Sequence, residues 1–189
     1  MRATKTIMTA LEYLAFERQS EVKHEFINQT LIPMAGASRL HNFIAGNIFV
    51  FIMQFLKATP FETYQNDMRL HNPLTGGYFY PDVMVSDGEG KLLDDGYMDT
   101  LTNPILIVEV MSPTTAIFDR TDKFIAYRSI PNLKEYVLVS SDKVLVEIYR
   151  KNGDENWHLI TETDVQADIE FTSISLKMPL KGIYDRVFN

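Results

Sequence analysis

The sequence predicts an α/β fold built on a mixed central β-sheet flanked by α-helices, in a single domain spanning residues 1–189. Three observations carry this expectation. Tyr80-Pro81-Asp82-Val83-Met84-Val85 and Pro104-Ile105-Leu106-Ile107-Val108-Glu109-Val110 are strand-length runs rich in β-branched residues. Residues 39–56 form one long apolar segment of helical length, and Glu135 to Val139 with Lys143 to Tyr149 read as a further strand pair. A chain of 189 residues is long enough to bury roughly two-thirds of its extended surface.

Taken in order, Thr9-Ala10-Leu11-Glu12 has the form of a capping box, with Leu11, Leu14, Ala15 and Phe16 expected on one helix face. Phe26 to Ile32 reads as two strands joined by a tight turn in which Asn28 accepts positive φ. Ser38 is placed to cap the long helix, whose apolar character on most faces implies central packing against a sheet. Phe61 to Tyr64 and Asp67 to Leu70 are short strands, followed by a turn through Asn72-Pro73 and Gly76-Gly77. The acidic stretch from Asp87 to Asn103, including Asp94, Asp95 and Asp99, reads as a solvated rim. Lys123 follows on a helix, one turn from both Asp119 and Tyr127. Weaker strands are expected at Trp157 to Thr161 and Ile174 to Leu176.

Composition narrows the chemistry. With 46% hydrophobic residues and no cysteine, the chain is globular and has no disulfide framework, thiolate metal site or cysteine nucleophile. The first residues lack the apolar core of a signal peptide, and the most apolar run, Phe43 to Leu56, interrupted by Asn47 and Gln54, falls short of the ~20 apolar residues of a membrane span. The expectation is a cytoplasmic protein without a membrane partner. A net charge of −7 opposes tight non-specific binding to nucleic acid by a monomer.

Each core run carries one acid among apolar neighbours, Asp82 in the first and Glu109 in the second. A carboxylate on a core strand costs several kcal/mol in desolvation unless a cation or proton compensates it. If the two strands are neighbours, Asp82 and Glu109 can share a hard cation such as Mg2+ or Mn2+, and Lys123 can serve an attacking water or a charged phosphorus.

At these residues the chain resembles the PD-(D/E)XK restriction-endonuclease-like superfamily. More narrowly, it is similar to the Uma-type endonucleases. The resemblance rests on an ordered set from about residue 8 to residue 150: Glu25-Phe26-Ile27, Pro33-Met34-Ala35-Gly36, His41, Pro81-Asp82-Val83, Glu109-Val110-Met111-Ser112-Pro113-Thr114-Thr115, Asp119-Arg120, Lys123, Tyr127 and Glu135-Tyr136. It implies a restriction-endonuclease-like fold and a Mg2+- or Mn2+-dependent DNA endonuclease. Asp82, Glu109 and the main-chain carbonyl of Val110 would be metal ligands, and Lys123 the catalytic lysine. Glu25 is placed as an assisting group from the hairpin. The superfamily usually carries its lysine two residues after the glutamate, where Met111 stands here, so Lys123 has to act from the helix.

Other readings remain open on sequence. The acidic charge and the absent lysine after Glu109 also fit an inactive nuclease-fold module that binds nucleic acid or protein. A glycosidase-like carboxylate pair would want a more aromatic cleft than one with the single Trp157. His41 is expected to pack or cap, and His24, His71 and His158 show no metal spacing. Ser112 lacks a nucleophile-elbow context. An exposed strand edge or the long helix could support a homodimer.

Overall fold

The computed structural model describes residues 8–153 and 156–188; the extreme N-terminus read above lies outside the described residues. Helix α1 (Ala10–Glu17) starts at the expected capping box, the Thr9 side chain accepting from the Glu12 amide and the Glu12 side chain reaching back. Its buried residues are Tyr13, Leu14 and Glu17, whereas Leu11 and Phe16 are exposed, which corrects the expected face. Tyr13 stacks on Phe26 at 4.9 Å, and this aromatic anchor sets the rotation of the helix.

Strands β1 (His24–Ile27) and β2 (Thr30–Pro33) form the predicted hairpin, with Asn28 and Gln29 at φ of 50° and 61°. Helix α2 (Arg39–Leu56) is capped by Ser38 and buries Ile44, Ile48, Ile52 and Leu56, one stripe only. Val50, Met53 and Phe55 on the other side are exposed, so α2 packs as a flanking helix rather than a central one. β3 (Glu62–Gln65), β4 (Arg69–Asn72), β5 (Gly77–Phe79) and β6 (Val83–Ser86) follow. The acidic stretch contributes the short strand β7 (Thr100–Leu101) and is tethered as well as solvated, because Arg18 binds Asp95 at 2.6 Å and Asp99 at 2.9 Å.

β8 (Pro104–Met111) is buried along its whole length. After it come α3 (Ala116–Phe118), a π-helical turn (Asp119–Lys123), and α4 (Phe124–Tyr127), then β9 (Glu135–Ser140), β10 (Val146–Lys151) and β11 (Trp157–Glu162). In place of a strand at residues 174–176 there is a hairpin of β12 (Asp168–Phe171) and β13 (Leu176–Pro179), joined by a 3-10 turn (Thr172–Ile174). Ser175 takes a left-handed conformation at that turn, a feature no periodicity announces. The short helix α5 (Leu180–Ile183) ends the described fold.

The strands form two larger sheets where one mixed sheet was expected, each of them mixed, besides the β12–β13 hairpin. One runs β2-β1-β5-β4-β7, the other β11-β10-β9-β8-β6-β3. In the larger sheet β6 is the neighbour of β8 that the two acid-bearing runs suggested, paired antiparallel, and β8 pairs parallel with β9. The crossover between those parallel strands lays the α3–α4 segment on one face, where Ala126 and Tyr127 pack with Ile107, Tyr136 and Leu138. α2 covers the opposite face over Val83, Val85, Leu106 and Val108. The chain passes from the first sheet into the second through Tyr80-Pro81-Asp82, between β5 and β6, so Asp82 stands at the seam.

Candidate metal centre

Asp82 precedes β6 directly. Val83 pairs with Val108 at the end of the ladder, and one further step of the same antiparallel register would bring Asp82 opposite Glu109, on the same face of the sheet. A second step of that register would bring Pro81 opposite Val110. Ile105 and Met111 turn their carbonyls toward β9, where they accept from Lys134 and Ser141. The alternate residues Leu106, Val108 and Val110 therefore face β6. The ladder ends at Val83 and Val108, and Asp82 lies just past it, beside Val110 and Glu109. At the next position Pro81 has no N–H to give, so the ladder leaves the Val110 carbonyl without a donor. The Val110 N–H donates instead to Asp82 Oδ2 at 2.7 Å. The second oxygen of Asp82 lies 2.8 Å from His41 Nε2, at the start of α2.

Glu109 is approached from the crossover. Lys123 Nζ and the Tyr127 hydroxyl both donate to Glu109 Oε1, each at 2.9 Å. The same ammonium lies 2.8 Å from Glu25 Oε1 and 3.7 Å from Asp119 Oδ1. The expected stripe of Asp119, Lys123 and Tyr127 is therefore present, but on a π-helical turn that widens the helix and turns Asp119 and Lys123 inward together. Asp119 and Lys123 are both buried there. The Tyr136 hydroxyl donates to the Asp119 carbonyl and fixes the turn against β9. Glu25 arrives from β1, so two sheets and the crossover all contribute.

The electrostatics are unbalanced. Glu25, Glu109 and Asp119, between 3% and 5% exposed, surround one ammonium, with Asp82 beside them. Burial pushes the Glu109 carboxyl up to about 8; Lys123 opposes the rise, and Asp82, Asp119 and Glu25 add to it. Burial raises Asp119 as well, against the pull of Lys123. For Lys123, burial disfavours the charge, but Glu109, Glu25 and Asp119 outweigh it and hold the ammonium well above its ordinary value. His41 also loses solvation, yet Asp82 raises it on balance. Glu25 Oε1 is sealed from solvent and, among the described residues, meets the Lys123 ammonium alone, 2.8 Å away. A site with this excess of oxygen acceptors and negative charge fits a hard divalent cation.

Among the described residues no three His, Asp or Glu side chains converge as a complete metal cage. The available set is two carboxylates and one main-chain carbonyl, which suits Mg2+, an ion that keeps several waters and takes one or two carboxylates. The sequence-chosen residues Asp82, Glu109, Val110, Lys123 and Glu25 all meet here. Sequence reasoning missed His41, expected to pack or cap, and gave Asp119 no role beyond its stripe. The available signals for His41 were its place in the ordered set that carries the resemblance and a polar ring one turn into a capped helix. Ser112 bonds to Thr114 and Thr115 in its own loop, and Asp95 and Asp99 bind Arg18 away from the site.

Residues 10–178 match a family model, Uma2, described as "Putative restriction endonuclease". Two proteins of Synechocystis sp. (strain PCC 6803) are similar along nearly the whole chain. The uncharacterized protein sll1609 is 42% identical, covering 92% of this chain and 98% of its own. The uncharacterized protein slr1290 is 33% identical, covering 92% and 89%. Among solved structures, a "putative nuclease belonging to DUF820" from Anabaena variabilis superposes with a TM-score of 0.80. It is 16% identical and covers 96% of this chain and 99% of its own, which establishes the restriction-endonuclease-like α/β fold.

Proposed function

Since the chain belongs to the Uma2 family, whose description is "Putative restriction endonuclease", we propose that it is a Mg2+- or Mn2+-dependent DNA endonuclease acting at the Asp82–Glu109 centre. The observation that carries the reading is the crowd of buried carboxylates around a single ammonium, at a strand pair whose ladder leaves the Val110 carbonyl open. Asp82, Glu109 and the Val110 carbonyl would hold the ion. When bound, the ion would supply Lewis acidity toward a phosphodiester and its attacking water.

The chain's own groups do the rest. His41 and the Val110 N–H each hold one oxygen of Asp82, which fixes the plane of its carboxylate. Lys123, kept charged by its neighbours, is the donor that orients a water or meets charge growing on phosphorus. Glu25 and Asp119 keep that ammonium charged and directed into the site. The reading includes a cytoplasmic setting and DNA as the partner, both argued from sequence.

Supercoiled plasmid incubated with Mg2+ or Mn2+ tests the proposal. Wild type is expected to nick or linearise it, and Asp82→Ala or Glu109→Ala to lose on the order of 100-fold or more of the rate. Metal-independent or equal cleavage by all three proteins would contradict it. No cleavage by wild type would favour the inactive binding module.

A further inference from the structure

Resting on that reading of the site, we infer that Tyr127 is a positioning residue. Its hydroxyl holds Glu109 Oε1, so that Glu109 meets a cation through Oε2 alone and Lys123 can leave for the substrate.

Both donors to Glu109 fall on the same oxygen, Lys123 Nζ and the Tyr127 hydroxyl each at 2.9 Å from Oε1. Among the described residues no group donates to Oε2, and it is not sealed from solvent either. The sealed, unpartnered side-chain oxygen among the described residues is on Glu25 instead. The open oxygen of Glu109 is thus the one on the accessible side.

The two donors differ in freedom. Lys123 divides its contacts among Glu109, Glu25 and Asp119, and its long stem can redirect the ammonium. Tyr127 is fully buried, with its ring held edge-on to Phe79 at 4.8 Å and to Tyr136 at 5.2 Å. Its hydroxyl donates to Glu109 from a ring fixed on both sides. Were Lys123 the only donor, its movement toward a phosphate or water would strip a buried oxygen of its partner, which is costly. The neutral hydroxyl removes that penalty without adding charge that would repel a cation. A group that holds a metal-binding acid from behind in this way tunes affinity although it never touches the metal.

The test compares wild type with Tyr127→Phe, which deletes one oxygen and keeps the ring. Mn2+ titration calorimetry should show the variant binding about tenfold more weakly. With saturating metal, kcat for plasmid cleavage should fall while KM for DNA stays near the wild-type value, and near-UV circular dichroism without metal should match wild type. Equal Mn2+ affinity and equal kcat in a folded variant would overturn the inference while leaving the metal reading intact. Wild type that takes up no Mn2+ would sink both, a different result. Should the variant not fold, infrared difference spectra of wild type with 13C-labelled glutamate decide the matter. A one-oxygen carboxylate signature on adding Mn2+ is expected, and a bidentate one would overturn the inference.

Discussion

The individual residues of the site explain themselves by what each has or lacks at one position. Pro81 contributes a missing hydrogen: opposite Val110 it offers no N–H, so a main-chain carbonyl that a ladder would normally consume stays available beside two carboxylates. Pro81→Ala should restore that donor. The expected outcome is Mn2+ binding weakened by up to ~10-fold in calorimetry, with thermal stability equal to or above that of wild type; unchanged affinity would remove the carbonyl from the ligand set. Asp82 and Glu109 were legible because each is an acid in an apolar run, which costs too much to occur without compensation. His41 was not, because its partner lies forty-one positions away and only the packing of α2 brings the two together. Local pattern contains no trace of such a contact.

Among the elements, strands were easier to read than helices. β6 and β8 announce themselves by composition, and their antiparallel pairing set the two acids on one face. The crossover helix kept its stripe of Asp119, Lys123 and Tyr127, but its π-helical turn could not be foreseen, since that geometry depends on tertiary contacts such as the Tyr136 hydroxyl on the Asp119 carbonyl. For α2, apolar composition overstated burial, because hydrophobic residues are common on surfaces too. The C-terminal hairpin was the largest miss. It is held from outside by Glu135, a fully buried acid that accepts from Arg150 and from the amides and hydroxyls of Thr172 and Ser173. Truncation there strands a half-buried guanidinium and several donors at once. Glu135→Ala should destabilise the protein by about 3–5 kcal/mol in urea unfolding, with Mn2+ affinity unchanged for the folded fraction. A loss below ~1 kcal/mol would show that the hairpin is anchored by its apolar contacts instead.

Over the whole molecule, two sheets meet at the Tyr80-Pro81-Asp82 passage, and the acids that converge there come from β1, from the seam, from β8 and from the crossover. No single element could hold such a set, which is why the sequence revealed its members but not their mutual geometry. The seam is itself braced: the Tyr80 hydroxyl donates to Glu17 of α1 and accepts from Arg69 of β4. A chain with a net charge of −7 gathers still more negative charge at this junction. The physical tension is resolved if a cation is the missing partner, both for the buried acids and for an approaching phosphodiester. Anomalous diffraction from a Mn2+-soaked crystal addresses that directly. The account predicts one strong peak within about 2–2.5 Å of Asp82, Glu109 Oε2 and the Val110 carbonyl. A Mn2+-saturated crystal with no peak there, or with its peak on the outlying acids of the 87–103 stretch, would contradict it.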